Sequence, residues 1–344
     1  MKPSKKLLLT FDYELFLGSK SGSVQNCLIK PTNSLLSILE SHQIKNAIFF
    51  VDTTYLVKLN DQPHLACKND FLEIKNQLCL LVEKGHYVFP HIHPHWLDAV
   101  YKEDTNEWSL TNYSKYRFHH ATSEEKIDLF SNSFKILNEV FDHYDSIFSE
   151  IGYRAGGWSI QPFSDFKLLF EKHNIGHEFS VIKNFKNLSE AQYFDFTYCP
   201  TKEFYAFDDD PCTENKQGNF CEYTISTMPI SKYIYWLSKI WNKYLYKTGQ
   251  INFGDGKSVV SNNTAITHSN KNDLDSNKNE MISIELLSEI KLNNYKRFLS
   301  NNHYMQFISH PKMISKHHLK VFDRFLKYAS ESFTLETDFK TFKI

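Results

Sequence analysis

Histidine is concentrated at one point in this chain. Four of its sixteen histidines fall within residues 86–95, where even spreading would put about half of one. Three of them stand in Phe89-Pro90-His91-Ile92-His93-Pro94-His95-Trp96. In extended backbone, side chains two apart share a face, so His91, His93 and His95 would look to one side. Pro94 suits the first turn of a helix, so a strand should end near His93 and leave two or three imidazoles at its end. Imidazole is the commonest transition-metal ligand, and two His with one carboxylate match catalytic zinc sites that keep a position open for water. The competing reading is a group of exposed or helix-capping histidines. Carboxylates are supplied by Thr10-Phe11-Asp12-Tyr13-Glu14, where Asp12 and Glu14 point one way and Tyr13 the other. By themselves, these two also read as solvated acids on a surface loop.

Two further pieces end apolar runs. Gly152-Tyr153-Arg154-Ala155-Gly156-Gly157-Trp158 places Arg154 before small residues that would let a ligand approach, although a lone Arg more often makes a surface salt bridge. Phe307-Ile308-Ser309-His310-Pro311 ends in His310, which taken singly reads as structural. Trp96, Trp108 and Trp158 could each be a sugar platform or core.

The elements that must position these groups alternate. Strands are expected over Lys6–Asp12, Asn46–Asp52, His86–Ile92, Ile151–Ala155, Glu178–Val181 and Tyr304–Ser309. Helices are expected from Pro31 and over Asp70–Lys84 (closed by Gly85), Ser123–His143, Phe163–His173, Ile282–Leu299 and His317–Tyr328. Strands separated by helices predict an α/β fold with a parallel sheet or barrel. In such a fold, chemistry sits at the C-terminal ends of the strands. Phe194–Thr227 breaks the pattern with short β-like pieces and the acidic Asp208-Asp209-Asp210. Gly249–Glu280, rich in Asn, Ser, Lys, Asp and Gly, reads as a polar, mobile surface insertion. With no internal repeat, residues 1–344 are expected to form one domain with insertions.

Composition narrows the partners. Lys plus Arg (39) nearly equals Asp plus Glu (40), so the chain lacks the overall basic field of a nucleic-acid or anionic-membrane binder. The run Leu7-Leu8-Leu9 is too short for a signal sequence, and no stretch approaches the ~18 apolar residues of a membrane span. The six cysteines (27, 67, 79, 199, 212 and 221) show no C-x-x-C and no dense framework, which predicts reduced thiols in the cytoplasm. Aromatic residues make up 15% of the chain; sugar-handling enzymes use such rings, though most must be core.

Taken in order, the pieces resemble the polysaccharide deacetylase family, which carries the NodB-homology domain. Its motifs are T-F-D-D-G, A-T-F-F-V, G-H-E-x-x-x-H-[ST]-x-x-H, R-x-P and a late strand ending in His. This chain has Thr10-Phe11-Asp12-Tyr13-Glu14, Ala47-Ile48-Phe49-Phe50-Val51, Gly85-His86 followed by His91 and His95, then Tyr153-Arg154 and His310. The match spans about residues 7–311. The Asp-x-Glu, His-x-His-Pro-x-Trp and Arg-Ala-Gly-Gly pieces look closest to the WalW-like subgroup associated with surface-polysaccharide gene clusters.

The resemblance implies a distorted (β/α) barrel of fewer than eight strands and a metal-dependent hydrolase that removes N-acetyl groups from a sugar or saccharide precursor in surface-polysaccharide biosynthesis. It implies Asp12 as general base, Arg154 as the group holding Asp12 ionised, and His310 as general acid. The metal ligands would be Glu14, His91 and His95, with His93 an additional candidate, around a divalent ion: zinc first, or cobalt, nickel or iron. The chain departs from the family at Tyr13 (a ligand Asp there), at Ile92 (Thr or Ser), and at Ala155-Gly156, which removes the proline. Two other functions fit the same residues: a catalytically silent carbohydrate-binding protein, and a metal-independent hydrolase of another C–N bond.

Overall fold

A computed structural model describes residues 2–110, 112, 114–189, 192–249, 251–257 and 278–342. Its main sheet has nine strands. In spatial order, eight of them are Phe204–Phe207, Phe220–Tyr223, Ile175–Glu178, Ile151–Ala155, Tyr87–Ile92, Ile48–Asp52, Ser4–Tyr13 and Tyr304–Ser309. The short Thr334–Glu336 strand pairs with Ser4–Lys6. All neighbours run parallel except the first pair. The sheet curls. Beyond its ordinary ladders, Ile225 N donates to Val181 O, Ile282 N to Ser226 O and Ile308 N to Ile282 O, which carries backbone pairing round to the last strand. The α/β expectation therefore holds.

Burial on both faces is why these strands are runs rather than alternations of apolar residues. Ile48–Asp52 is wholly buried, as is Tyr304–Ser309. Outside the sheet lie helices including Lys30–Ser41, Leu65–Glu83, Ser123–Phe141 and Lys316–Ser332. The Ser123–Phe141 helix starts with a capping box between Thr122 and Glu125, and Gly85 takes the left-handed φ (83°) that ends Leu65–Glu83.

Several boundaries differ from expectation. The strand placed at Glu178–Val181 is Ile175–Glu178, because Asn174 turns the chain with φ of 53° immediately before it. Phe163–His173 splits into a turn at Phe163–Asp165 and a helix at Lys167–Lys172. The helix placed at Ile282–Leu299 is Leu292–Asn301. Residues 282–285 instead run beside the last strand, with Ile284 N donating to Ser309 Oγ at 2.8 Å. A helix at Lys232–Lys247 was not anticipated. Of the polar stretch Gly249–Glu280, residues 250 and 258–277 lie outside the described residues. Its flanks are tied down: Lys257 N donates to Lys20 O, Phe253 N donates to Ile314 O, and Lys278–Met281 pairs with Thr227–Ile230. Cys199 and Cys212 are joined in a disulfide, which corrects the all-reduced reading; the other four cysteines are free. Among the described residues no helix is long and apolar enough to cross a membrane.

The sheet encloses an acid pair that bears on stability. Glu178 and Glu222 are fully buried. Glu178 accepts from the N–H and hydroxyl of Ser180, and Glu222 accepts from Val181 N. Burial, and then the neighbouring Glu178, push the Glu222 carboxyl well above its ordinary value of 4.5. The unfolded chain therefore releases this proton at a lower pH than the folded chain does. The stabilisation is complete below the ordinary value and is lost as pH rises toward the folded one, at up to about 1.4 kcal/mol per pH unit. Glu222→Gln is expected to remove this slope, so its advantage over the native chain in urea unfolding should be larger at pH 8 than at pH 5. An advantage independent of pH would count against a proton shared by this pair.

Candidate active site and metal centre

Parallel pairing brings the C-terminal ends of the central strands to one edge. Asp52 is in register with His91, and His91 with Arg154, while Phe11 stands beside Ser309 one residue before Asp12 and His310 respectively. Asp12, Glu14, His91, His93 and His310 consequently open on one cleft of about 370 Å³, with Arg154 buried beneath Asp12. Tyr116, Trp158, Met281 and Leu286 also line it. That volume lies in the range of small-ligand sites. Of the three tryptophans considered from the sequence, Trp158 reaches the cleft, whereas Trp96 and Trp108 are buried.

Glu14, His91 and His93 form a buried group whose ligand atoms lie within 4.8 Å of one another. Glu14 Oε2 is 2.6 Å from His93 Nε2 and 3.4 Å from His91 Nε2, yet it makes no hydrogen bond of proper geometry. The two Nε2 atoms are 3.0 Å apart. His91 Nδ1 lies 2.7 Å from the carbonyl oxygen of Arg154, an acceptor only, so Nδ1 carries a proton and in the neutral ring Nε2 presents its lone pair. Such an outer partner is what fixes the tautomer of a ligating histidine. Three buried ligand atoms that converge, with Glu14 Oε2 left without a hydrogen bond, fit a divalent cation. Two imidazoles and a carboxylate suit zinc and its neighbours in the first transition row.

The structure leaves His95 outside this group. The strand ends at Ile92, His93 keeps an extended backbone, and the Pro94–Asp98 turn rotates His95 away. His95 is buried against the Tyr116 ring, and burial drives its pKa well below the ordinary value, keeping it neutral. Gly156 makes room for His93: a Cβ there would lie 2.5 Å from Ile92 O and 2.8 Å from His93 Nδ1.

Beside the donors stand two charge pairs. Arg154 Nη1 donates to Asp12 Oδ1 at 2.5 Å, Nη2 to Thr10 Oγ1 at 2.9 Å and Nε to Phe179 O at 3.0 Å, while the guanidinium covers the Phe50 ring. Burial raises the Asp12 pKa, but Arg154 and then His91 and His310 outweigh it, so the carboxylate is held below its usual range. His310 Nδ1 lies 3.0 Å from Glu285 Oε1, and Nε2 faces Asp12 and Glu14 at 3.5 and 3.7 Å. Burial opposes its charge, yet Glu285 and Asp12 raise its pKa above the ordinary value.

Glu285 and Lys312 line the cleft, and Asp52 is buried close to His93 and Glu14; the sequence reading missed all three. Glu285 was hidden in the misplaced helix. Lys312, two residues after His310, is buried and donates to Glu14 Oε1 at 2.8 Å and to Leu15 O at 2.5 Å. It thereby leaves Oε2 as the Glu14 atom facing the imidazoles. Against the cost of burial, Lys312 and then His93 hold the Glu14 pKa well below its ordinary value. Asp52 ends a strand as Asp12 nearly does, and that position was the available signal. It accepts from Trp96 Nε1 and caps the following helix through Tyr55 N, and burial pushes its pKa up to about 6.

No protein-family profile and no curated protein sequence matches the chain. Its fold is shared with a Mycobacterium smegmatis protein described as a candidate polysaccharide deacetylase, at 12% identity and a TM-score of 0.50, covering 98% of this chain and 87% of that one. Looser likenesses extend to the catalytic domain of a peptidoglycan N-acetylglucosamine deacetylase from Eubacterium rectale, at 11% identity and TM-score 0.38, covering 98% and 90%. They also include a 4-alpha-glucanotransferase from Thermococcus litoralis, at 10% identity and 0.43, covering 98% and 39%. At 12% identity the first of these likenesses defines the fold alone, an α/β fold with a curled sheet shared with that protein.

Proposed function

We propose that the chain is a metal-dependent carbohydrate N-deacetylase acting as one catalytic domain. The observation that carries this reading is the convergence of Glu14, His91 and His93 between the Asp12–Arg154 and His310–Glu285 pairs. Glu14, His91 and His93 would hold the ion. A bound divalent ion supplies a Lewis acid for the acetamide carbonyl and makes water a better nucleophile near neutral pH. Asp12, kept ionised by Arg154, accepts the proton of the attacking water. His310 faces the same space through Nε2 and gives a proton to the departing amine, so that acetate and a free amino sugar leave. Glu285 accepts the Nδ1 proton of His310 and thereby orients Nε2–H toward the cleft. Trp158 and Tyr116 offer rings for a sugar face. The sequence motifs, rather than the geometry, support the WalW-like subgroup and a role in surface-polysaccharide biosynthesis.

The test is metal content of protein prepared without chelators, together with acetate release from N-acetylated amino sugars before and after metal removal. Near-stoichiometric zinc, cobalt, nickel or iron, and activity lost on chelation and restored by the ion, are expected. Absence of bound metal after incubation with these ions would overturn the reading, and chelator-resistant hydrolysis would favour a metal-independent enzyme.

The assignment of His310 also has a pH signature. A general acid must be protonated, so activity should fall at alkaline pH as His310 loses its proton. Glu285→Gln removes the charge that raises the His310 pKa and should move that alkaline limb to lower pH. A profile unchanged in position would exclude His310 as the titrating acid.

A further inference from the structure

Net charge of −1 conceals local segregation. From Tyr223 to Gly254 the sequence contains no acidic residue, while Lys232, Lys239, Lys243 and Lys247 all fall on the Lys232–Lys247 helix. At sixteen residues the helix is about 24 Å long. Only its Ser238 is fully buried. Tyr233, Trp236, Ile240 and Tyr244, spaced three, four and four residues apart, form one row along the outer face, and Tyr233 and Trp236 are 68% and 59% exposed. By the same periodicity the four lysines form a second row flanking the first. Most large aromatic side chains among the described residues are packed inside, with Tyr198 and Tyr193 isolated exceptions; here several stand in solvent along one helix, next to cations and without a single carboxylate on it.

We infer that this helix is a docking surface for an anionic lipid bilayer. Tyr and Trp favour the headgroup region because their rings carry an apolar body and a polar edge. Lysines beside them meet lipid phosphates, and their long stems let the ammonium groups reach outward. A helix whose apolar row is bordered by lysine lies in the plane of the interface rather than crossing it. Charge complementarity selects this occupant: the lysine row would repel itself across a pairing of identical helices, whereas an anionic surface neutralises it.

The helix is also tied at both ends to the walls of the cleft. Thr227–Ile230 leads into it and pairs with Lys278–Met281, whose last residue lines the cleft. Residues 252–254 return from it to Ser315, Ile314 and Lys312. A bilayer bound here would hold the cleft near its surface, within reach of a saccharide carried on a lipid. The inference concerns binding alone and stands whatever reaction the cleft performs.

The experiment is flotation of the full chain with vesicles of phosphatidylcholine, with and without phosphatidylglycerol, at low and high salt. Binding to the anionic vesicles alone, weakened by salt, is expected. Lys239→Gln, Lys243→Gln and Lys247→Gln together should lower partitioning on the order of 100-fold, taking each lysine near a charged surface at roughly five-fold. Trp236→Ala with Tyr244→Ala should weaken binding while leaving its salt dependence in place. These side chains are exposed, so circular dichroism and thermal unfolding should match the native chain. Equal binding to both vesicles, no binding, or binding undiminished in the lysine variant would overturn the inference. So would a concentration-dependent dimer, abolished by the aromatic pair of substitutions, in a chain that ignores vesicles.

Discussion

An Asp12→Asn chain should retain its metal and lose kcat on the order of 10²–10⁴-fold, the usual contribution of a positioned general base. The prediction separates two roles that carboxylates at a strand end can play. Glu14 belongs to the converging donor group and Asp12 does not. Asp12 instead spends one oxygen on Arg154 and turns the other toward His310. Asparagine preserves the shape and can still accept from Arg154, but it cannot take up a proton at neutral pH. Metal content and acetate release measured on the same preparation decide the matter. Loss of the ion together with activity would make Asp12 a ligand and would require a different base.

Arg154→Ala is expected to be the most damaging single change, at about 3–5 kcal/mol of stability, because it strands a buried carboxylate without its counter-charge. Both partners are nearly inaccessible to water, so solvent cannot step in for the guanidinium. The loss extends beyond the pair, since Thr10 and the Phe179 carbonyl also give up a donor. Arg154→Lys should recover only part of it, because an ammonium cannot reproduce a planar fork aimed at three acceptors. Urea unfolding of the two variants and of Arg154→Ala combined with Asp12→Asn gives the check. The Asp12 substitution should relieve much of the Arg154→Ala penalty, and strict additivity would contradict a coupled pair.

Much of the site could be read from sequence because chemistry at strand ends leaves a local mark. Asp12, Glu14, His91, His93, Arg154 and His310 each follow an apolar run, and strand periodicity put Asp12 with Glu14 and His91 with His93 on one side, where the cleft has them. The choice between His93 and His95 could not be read the same way. It depends on where extended backbone gives way to the Pro94 turn, and motif spacing favoured His95 while the geometry brings His93 to Glu14. Glu285 was invisible for a different reason. Its segment contains Ile282, Ile284 and Leu287, apolar residues compatible with a helix, and only the neighbouring strand gives Ile282 and Ile284 extended partners. The Lys232–Lys247 helix escaped because several of its aromatic residues, Tyr233, Trp236 and Tyr244 among them, face outward, which breaks the rule that large rings mark the core.

Arg154 touches the candidate site twice. Its side chain holds Asp12, while its carbonyl oxygen holds the imidazole of His91. In the proposed mechanism the proton acceptor and one metal ligand are thus referenced to the same residue, on a strand in the middle of the sheet. A shift of that strand displaces both together, as a common-mode movement, and leaves their separation nearly unchanged. An alignment of this kind would tolerate breathing of the curled sheet, because what matters is the difference between two positions that fluctuate in unison.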